Sequence, residues 1–244
     1  MIYSVIHPFY NHNETLKLHL PYWLRYFKGE TEIILVDDCS PNGLDTTHLD
    51  KLSCRVTVAR VQKDIPWNVT GARNLGASLA IGKYLIMSDF DCCVHPGLIK
   101  TLRTRVQTMK YREVLWPLLL MQEPTRRTKD GKLRQPHCNS FVMEKQFFND
   151  IGGYDEDFAG GWGYEDSYFH QYQAAYHGAT NTVMDAPGYF RYFRGHNHGE
   201  YARGRLNEQV NVTKFKDKIS REDYKKPNGP TLRFNWDIVY KVNH

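Results

Sequence analysis

In the first half of the chain, short apolar runs alternate with stretches of helical periodicity, and few architectures accept that rhythm. Ile2 to Ile6 reads as a strand, and Leu16, Leu20, Trp23, Leu24 and Phe27 recur at helical spacing, with Pro21 marking a kink or restart. Glu32 to Asp37, "EIILVD", is a second strand, and Arg55 to Val61, "RVTVARV", a third with period-two alternation. Thr70 is placed to cap a helix running to Ile81 and stopped by Gly82, and Tyr84 to Ser88 follows as a fourth strand. Strand and helix in alternation predict an α/β fold: a mostly parallel central sheet flanked by helices. Ligands of such sheets bind beyond the carboxyl ends of the strands. Asp37 and Asp38 close the second strand, and Asp89 and Asp91 close the fourth.

The second half is less regular. Pro96 to Thr108 reads as a helix, Val114 to Leu120 as one apolar strand, and Gln122 to Gln135 as a loop carrying Arg126, Arg127, Lys129, Lys132 and Arg134. Ser140 to Met143 (strand), Glu144 to Ile151 (helix), a glycine-rich segment and Glu165 to Gly178 (helix) follow; the last stretch is polar with weak periodicity. No repeat, low-complexity linker or domain boundary stands out. The 244 residues are therefore read as one domain, with 206–244 a tail packing on it.

Composition excludes little else. A charge of +5 is offset by 27 acidic residues and does not argue for nucleic acid; a small anionic substrate fits it equally. Five cysteines, odd in number and without C-x-x-C spacing, point to a reducing compartment. No apolar run approaches the roughly 20 residues that span a bilayer, and no signal-like leader opens the chain. The expectation is a cytoplasmic protein without a transmembrane segment, whose sequons at Asn13, Asn68 and Asn211 carry no glycan.

Four segments carry candidate chemistry. In "YLIMSDFDCCV", Tyr84 to Val94, strand alternation would put the Asp89 and Asp91 carboxylates on one face, where each raises the other's cost of ionisation. A hard divalent ion relieves that cost and takes its remaining ligands from water and phosphate; solvated turns and caps carry the same spacing. In "KDIPWNVTGARNLGASLAIG", Lys63 to Gly82, Gly71 permits close backbone approach, and Arg73 in the first helical turn suits a diphosphate or a surface carboxylate.

In "GGYDEDFAGGWGYEDSYFHQY", Gly152 to Tyr172, Gly160, Gly161 and Gly163 make a mobile or tightly turned loop. Trp162 and Tyr164 offer flat faces for sugar rings, and Glu165 and Asp166 open a helix whose dipole keeps carboxylates ionised, as a general base must be. Acidic first turns are also plain helix starts. In "YFRYFRGHNHGEYARGR", Tyr189 to Arg205, His196 or His198 can complete a metal site or lie on the surface, and Arg191, Arg194, Arg203 and Arg205 can clamp phosphate or simply form a basic face.

Taken in order, these segments resemble the GT-A fold, family 2-like nucleotide-sugar glycosyltransferases over about residues 1–200. "HPFYN" is similar to that family's opening nucleotide-binding segment, which implies contacts from Pro8 and Tyr10. "ILVDDCS" is similar to its aspartate pair for base and ribose, Asp37 and Asp38. "WNVTGARNLG" is similar to its A-R-N-x-G helix, which with the residues before it implies donor contacts from Asp64, Trp67 and Arg73. "SDFD" is similar to its metal-binding D-x-D, carried by Asp89 and Asp91 with Phe90 in the middle. "WGYED" resembles the W-G-x-E-D motif also seen in GT-A galactosyltransferases, which implies Asp166 as base and Trp162, Tyr164 and Glu165 as acceptor ligands. "GHNHGE" resembles the late histidine of the metal site, His198 by spacing, with His196 as the alternative.

The resemblance implies a metal-dependent inverting transfer of a sugar from a nucleotide diphosphate, UDP by family habit, to a hydroxyl of a glycan or glycoconjugate, with 1–110 as the nucleotide-sugar-binding half and 111–205 as the acceptor-binding and catalytic half. Donor contacts then include Asp89 beside Mn²⁺ or Mg²⁺, and an imidazole ligand tilts the choice toward Mn²⁺. Two alternatives stand beside it. A catalytically silent GT-A domain would bind nucleotide sugar or glycan only. A sugar nucleotidyltransferase would want a glycine-rich basic loop after the first strand, and "HPFYNHNE" is not one.

Overall fold

A computed structural model describes residues 1–121, 133–184, 189–192, 208–226 and 232–243. His196, His198, Arg194, Arg203, Arg205 and nearly all of the basic loop lie outside the described residues. The first half runs β1 (Tyr3–Phe9), α1 (Asn13–Tyr26), β2 (Thr31–Asp37), β3 (Arg55–Val61), α2 (Val69–Leu79) and β4 (Tyr84–Met87). These four strands are parallel in the order β4-β1-β2-β3, with Ile6 level with Ile34 on one side and Met87 on the other. Alternation divides the core. Val5, Ile33, Leu35, Val56 and Ile86 point to the α1 side with Leu16 and Trp23, whereas Ile6, Ile34, Val36, Ala59 and Leu85 point to the α2 side with Ala72 and Leu75.

The rest of the chain extends this sheet and adds a second. After β5 (Cys92–Val94) and α3 (Pro96–Arg105), the single strand expected over Val114 to Leu120 is two: β6 (Glu113–Trp116) and β7 (Leu118–Met121). Pro117 has no N–H for a ladder, so the chain breaks there and changes sheet. β8 (Leu133–Arg134), β9 (Phe141–Glu144), α4 (Lys145–Asp150), α5 (Glu165–Ser167), β10 (Thr180–Val183), β11 (Tyr189–Tyr192), α6 (Glu208–Ser220) and β12 (Trp236–Val242) complete the order. The main sheet reads β10-β6-β9-β4-β1-β2-β3-β12, with β9 and β12 antiparallel to their neighbours, and the smaller one β5-β11-β7-β8.

Several local expectations are corrected. Helix α2 starts at Val69 after Asn68, so Thr70 lies inside the helix and caps nothing. The helix expected over Glu165 to Gly178 is one α-turn followed by a π-helical stretch, Tyr168–Ala174, before Gly178 ends it at φ +81°. The tail, polar and weakly periodic in sequence, holds a helix and an edge strand that pairs with β3. The sequon residues Asn68 and Asn211 are buried and hydrogen-bonded. Among the described residues no helix is long and apolar enough to cross a membrane.

Candidate active site

A cavity of about 520 Å³ opens where the first four strands end. Each strand delivers residues at or beyond its end to it: Pro8 and Tyr10 from β1, Asp38 after β2, Asp64 and Trp67 after β3, Asp89 and Asp91 after β4. The opposite wall is Trp162, Tyr164, Glu165 and Asp166. Residues more than 70 positions apart thus share one space, and His12, Asn68, His137, Cys138 and Asn139 line it as well. Those five carried no motif to single them out, although Asn68 sits within the quoted "WNVTGARNLG".

Asp89 and Asp91 do not ride on a strand face. β4 ends at Met87, and the two aspartates occupy the turn into β5, closed by Cys92 N–H donating to the Asp89 carbonyl (2.9 Å). Phe90 between them points inward onto Phe9, His7 and His19, with ring centroids 4.9–5.6 Å apart. Burial pushes the His7 imidazole down to about 4 and His19 well below its ordinary value, so both are neutral near pH 7. Each then donates a ring N–H to the turn: His7 Nδ1 to the Ser88 carbonyl (3.1 Å), His19 Nε2 to the Phe90 carbonyl (2.8 Å). The acidic turn is held from below by its backbone, which leaves its carboxylates for the cavity.

Arg73 is the fifth residue of α2, not a first-turn residue, and it is completely buried. Its Nη2 pairs with Asp89, its guanidinium stacks 5.1 Å from the Tyr154 ring, and its Nε and Nη1 have no partner in the protein. A buried cation with unspent donors in the wall of a cavity is suited to an anionic ligand. Gly71 serves a different purpose from the one expected: a Cβ there would meet Asn68 Oδ1 and Phe234 Cε1 at 2.4 Å, so the approach it permits is by the tail. Asn74 anchors the next loop, donating to the Tyr154 carbonyl (2.8 Å) and to Glu156 (3.0 Å).

The aspartates at the end of β2 separate. Asp38 lines the cavity, accepts from Asn68 Nδ2 (3.0 Å), and burial pushes its carboxyl up to about 7. Asp37 does not reach the cavity; it accepts from Ser40 N–H (2.9 Å) and pairs with Arg60 (2.5 Å). On the far wall, burial and then Asp166 raise Glu165 to about 7, and its Oε2 has no partner. Trp67 and Tyr164 both hold left-handed backbone at φ +52° and +71°, unusual for bulky residues, and their walls meet where the Trp67 and Trp162 rings come within 6.4 Å.

Among the described residues no cluster of three or more histidine, cysteine and acidic side chains is arranged around a metal. The donor set still fits a hard divalent ion, because such an ion needs one or two carboxylates and completes its shell with water and phosphate. Burial and the neighbouring Asp89 raise Asp91 above its ordinary value, a cost that a cation between the two would remove. His137 Nδ1 stands 3.6 Å from Asp89 Oδ2 beside them.

The sequence matches the family described as glycosyl transferase family 2 over residues 4–161, more than half of the chain. The chain belongs to glycosyl transferase family 2. A second match, to the family described as the N-terminal domain of galactosyltransferase, covers residues 132–196 and so includes the Trp162 to Asp166 wall. Mouse polypeptide N-acetylgalactosaminyltransferase 15 is 34% identical over 84 residues, 34% of this chain and 13% of that protein. Among solved structures, S. aureus TarS 1-349 in complex with UDP-GlcNAc superposes with a TM-score of 0.64 at 17% identity, over 83% of this chain and 61% of that one. GalNAc-T7 with UDP, GalNAc and Mn²⁺ gives 0.65 at 19%, over 94% and 52%. At those identities the structures establish the GT-A fold of this family member, and the chain spans about half to six tenths of their length.

Proposed function

We propose that this family 2 glycosyltransferase moves a sugar from a UDP-linked donor to a hydroxyl of a glycan or glycoconjugate, with inversion. One observation carries the reading: a single cavity joins the ends of the parallel strands, with Asp38, Arg73, Asp89 and Asp91, to a wall bearing Trp162, Glu165 and Asp166. The family match and the UDP complexes of TarS and GalNAc-T7 support a UDP donor.

In this reading Asp38, Asp64 and Trp67 hold the nucleoside end and the unspent Arg73 donors take a diphosphate oxygen. Asp89 and Asp91 would hold Mn²⁺ or Mg²⁺, which supplies positive charge to the departing diphosphate. His198 or His196 would be the third ligand. Trp162 and Tyr164 stack on the acceptor, Glu165 orients its hydroxyl, and Asp166 takes the proton as oxygen attacks the anomeric carbon from the face opposite the diphosphate. No covalent sugar–enzyme bond forms.

Asp166→Asn tests this directly. Release of UDP from UDP-GlcNAc or UDP-GalNAc in Mn²⁺ is expected to fall by about 10²- to 10⁴-fold, while UDP affinity measured by calorimetry stays. UDP binding by a wild-type chain with no turnover of any nucleotide sugar would instead identify a silent binding domain.

A further inference from the structure

The wall that carries Glu165 and Asp166 is poorly secured by its own sequence. Gly160 and Gly163 stand at φ +96° and +85°, and a Cβ on either would meet nothing within 4 Å. What holds this loop is α6 of the tail. Asn211 is completely buried, and its single side-chain amide donates to three backbone carbonyls: Phe158 (3.1 Å), Gly161 (2.9 Å) and Gly163 (3.0 Å). An NH₂ group has two hydrogens, so three acceptors converge on it and at least one bond is shared.

The next turns of the same helix face continue the grip. Phe215, four residues on, places its ring 5.2 Å from that of Tyr164, and Lys218, seven on, pairs with Asp155 (2.8 Å) and Asp157 (2.6 Å). Positions 211, 215 and 218 form one stripe on a helix, and all three touch the segment that ends in Tyr164. Tyr164 is the left-handed residue from which α5, bearing Glu165 and Asp166, begins. From the other side the loop is tied to the donor wall, since Gly160 N–H donates to the Pro66 carbonyl (2.8 Å) beside Trp67.

We propose that Asn211, with Phe215, is a positioning residue: the tail helix fixes the backbone of the Gly160 to Gly163 turn and thereby the direction in which Asp166 faces the bound donor. Neither residue lines the cavity. The inference rests on the functional reading above and assigns the tail a part in the transfer step that the strand ends alone do not supply. Loss of the amide releases the loop without disturbing Asp38, Arg73 or Asp89, so donor binding and turnover separate.

The test uses the full chain in Mn²⁺ and compares wild type with Asn211→Ala, Asn211→Asp, Phe215→Ala and, on the exposed side of the same helix, Thr213→Ala. UDP affinity is measured by calorimetry, turnover as UDP release from UDP-GlcNAc or UDP-GalNAc, and loop order as amide exchange over residues 158–168. Asn211→Ala and Asn211→Asp are expected to lose at least tenfold in kcat with UDP affinity within twofold of wild type and faster exchange in the loop; Phe215→Ala shows the same signature more weakly, and Thr213→Ala tracks wild type. Should an Asn211 variant fail to fold, Phe215→Ala, which leaves every hydrogen bond in place, still decides. Wild-type kcat in the variants, or loss of UDP affinity in step with kcat, overturns the inference alone. A wild-type chain that neither binds UDP nor releases it overturns the functional reading and the inference with it.

Discussion

Glu165 shows how much one side chain's surroundings can shift its chemistry. Its burial, and then the adjacent Asp166, push the carboxyl up to about 7, against the pull of Arg73. Near neutral pH it is therefore divided between an acid that donates a hydrogen bond and a carboxylate that accepts one. In the proposed reading the ionised form is the stronger acceptor for the hydroxyl that Asp166 deprotonates. Donor turnover should accordingly rise with pH below 7, by up to about tenfold per unit, and level off above. Glu165→Gln is expected to flatten that limb and lower the plateau. An unchanged limb in Glu165→Gln would assign the titration to another group. The residue pattern placed Glu165 and Asp166 together at a helix start, and only the resemblance gave them different roles. The difference arises from packing: Glu165 is turned into the protein and Asp166 stays at its edge.

At the scale of elements, α2 is the strut on which both walls depend. It carries Arg73 toward the cavity and Asn74 toward the loop at Tyr154, and it lies against β1 because Gly76 leaves room. A Cβ at Gly76 would stand 2.3 Å from Ile6 Cγ2. Gly76→Ala should cost about 1–3 kcal/mol in urea unfolding despite alanine's better helix propensity, because the helix must move or the core must strain. With Ile6→Ala, which removes the clashing carbon, the double variant should be less destabilised than the sum of the single ones. Additive costs would show that the helix shifts freely. The four parallel strands and this helix were legible because period acts locally, through alternating residues and small residues, although the helix ends at Leu79 with Ala80 as its cap and not at the expected Gly82. The break at Pro117 was visible as a residue but not as a change of sheet, since pairing partners are distant in sequence. Arg73 was legible as a motif residue, whereas its burial against Tyr154 and the filling of the Gly71 gap by Phe234 depend on contacts 80 and more residues away. Helix α6 escaped notice for a related reason. Its inward stripe is Asn211, Phe215 and Lys218, largely polar, so a search for apolar periodicity passes over it.

For the molecule as a whole, carboxyl groups of the site and of the frame act on stability in opposite directions. Asp38 and Glu165 are held at about 7 in the fold against ordinary values of 3.8 and 4.5, chiefly by burial. Below those ordinary values both folded and unfolded chains carry the protons and nothing is lost. As pH rises toward 7 the unfolded chain releases them first, and stability falls until the folded values are passed. Asp157 and Glu113 are the reverse case. Burial raises them, but hydrogen bonds and charges outweigh it, from Lys218 and Arg233 on Asp157 and from Thr182, Lys110 and Arg105 on Glu113, so both end below the ordinary range. Their contribution is present at neutral pH and is lost on strong acidification. Buried His7, His19 and His170, all held below the ordinary imidazole value of 6.5, act in the opposite direction to Asp38 and Glu165: as pH falls below it the unfolded chain takes up protons that the fold excludes, and stability falls. Asp38→Asn keeps the acceptor for Asn68 Nδ2 and removes the buried charge. It is expected to stabilise by about 1–3 kcal/mol at pH 8, a rise in Tm of several degrees, and by less at pH 5. In the proposed reading the same variant should bind UDP more weakly, because the raised Asp38 carboxyl is then the cost of keeping an acceptor for a ribose hydroxyl or the base N–H. Melting curves at the two pH values, with and without UDP, check both halves. If Asp38→Asn melts with wild type at pH 8 and binds UDP equally well, Asp38 belongs to the frame and not to the site.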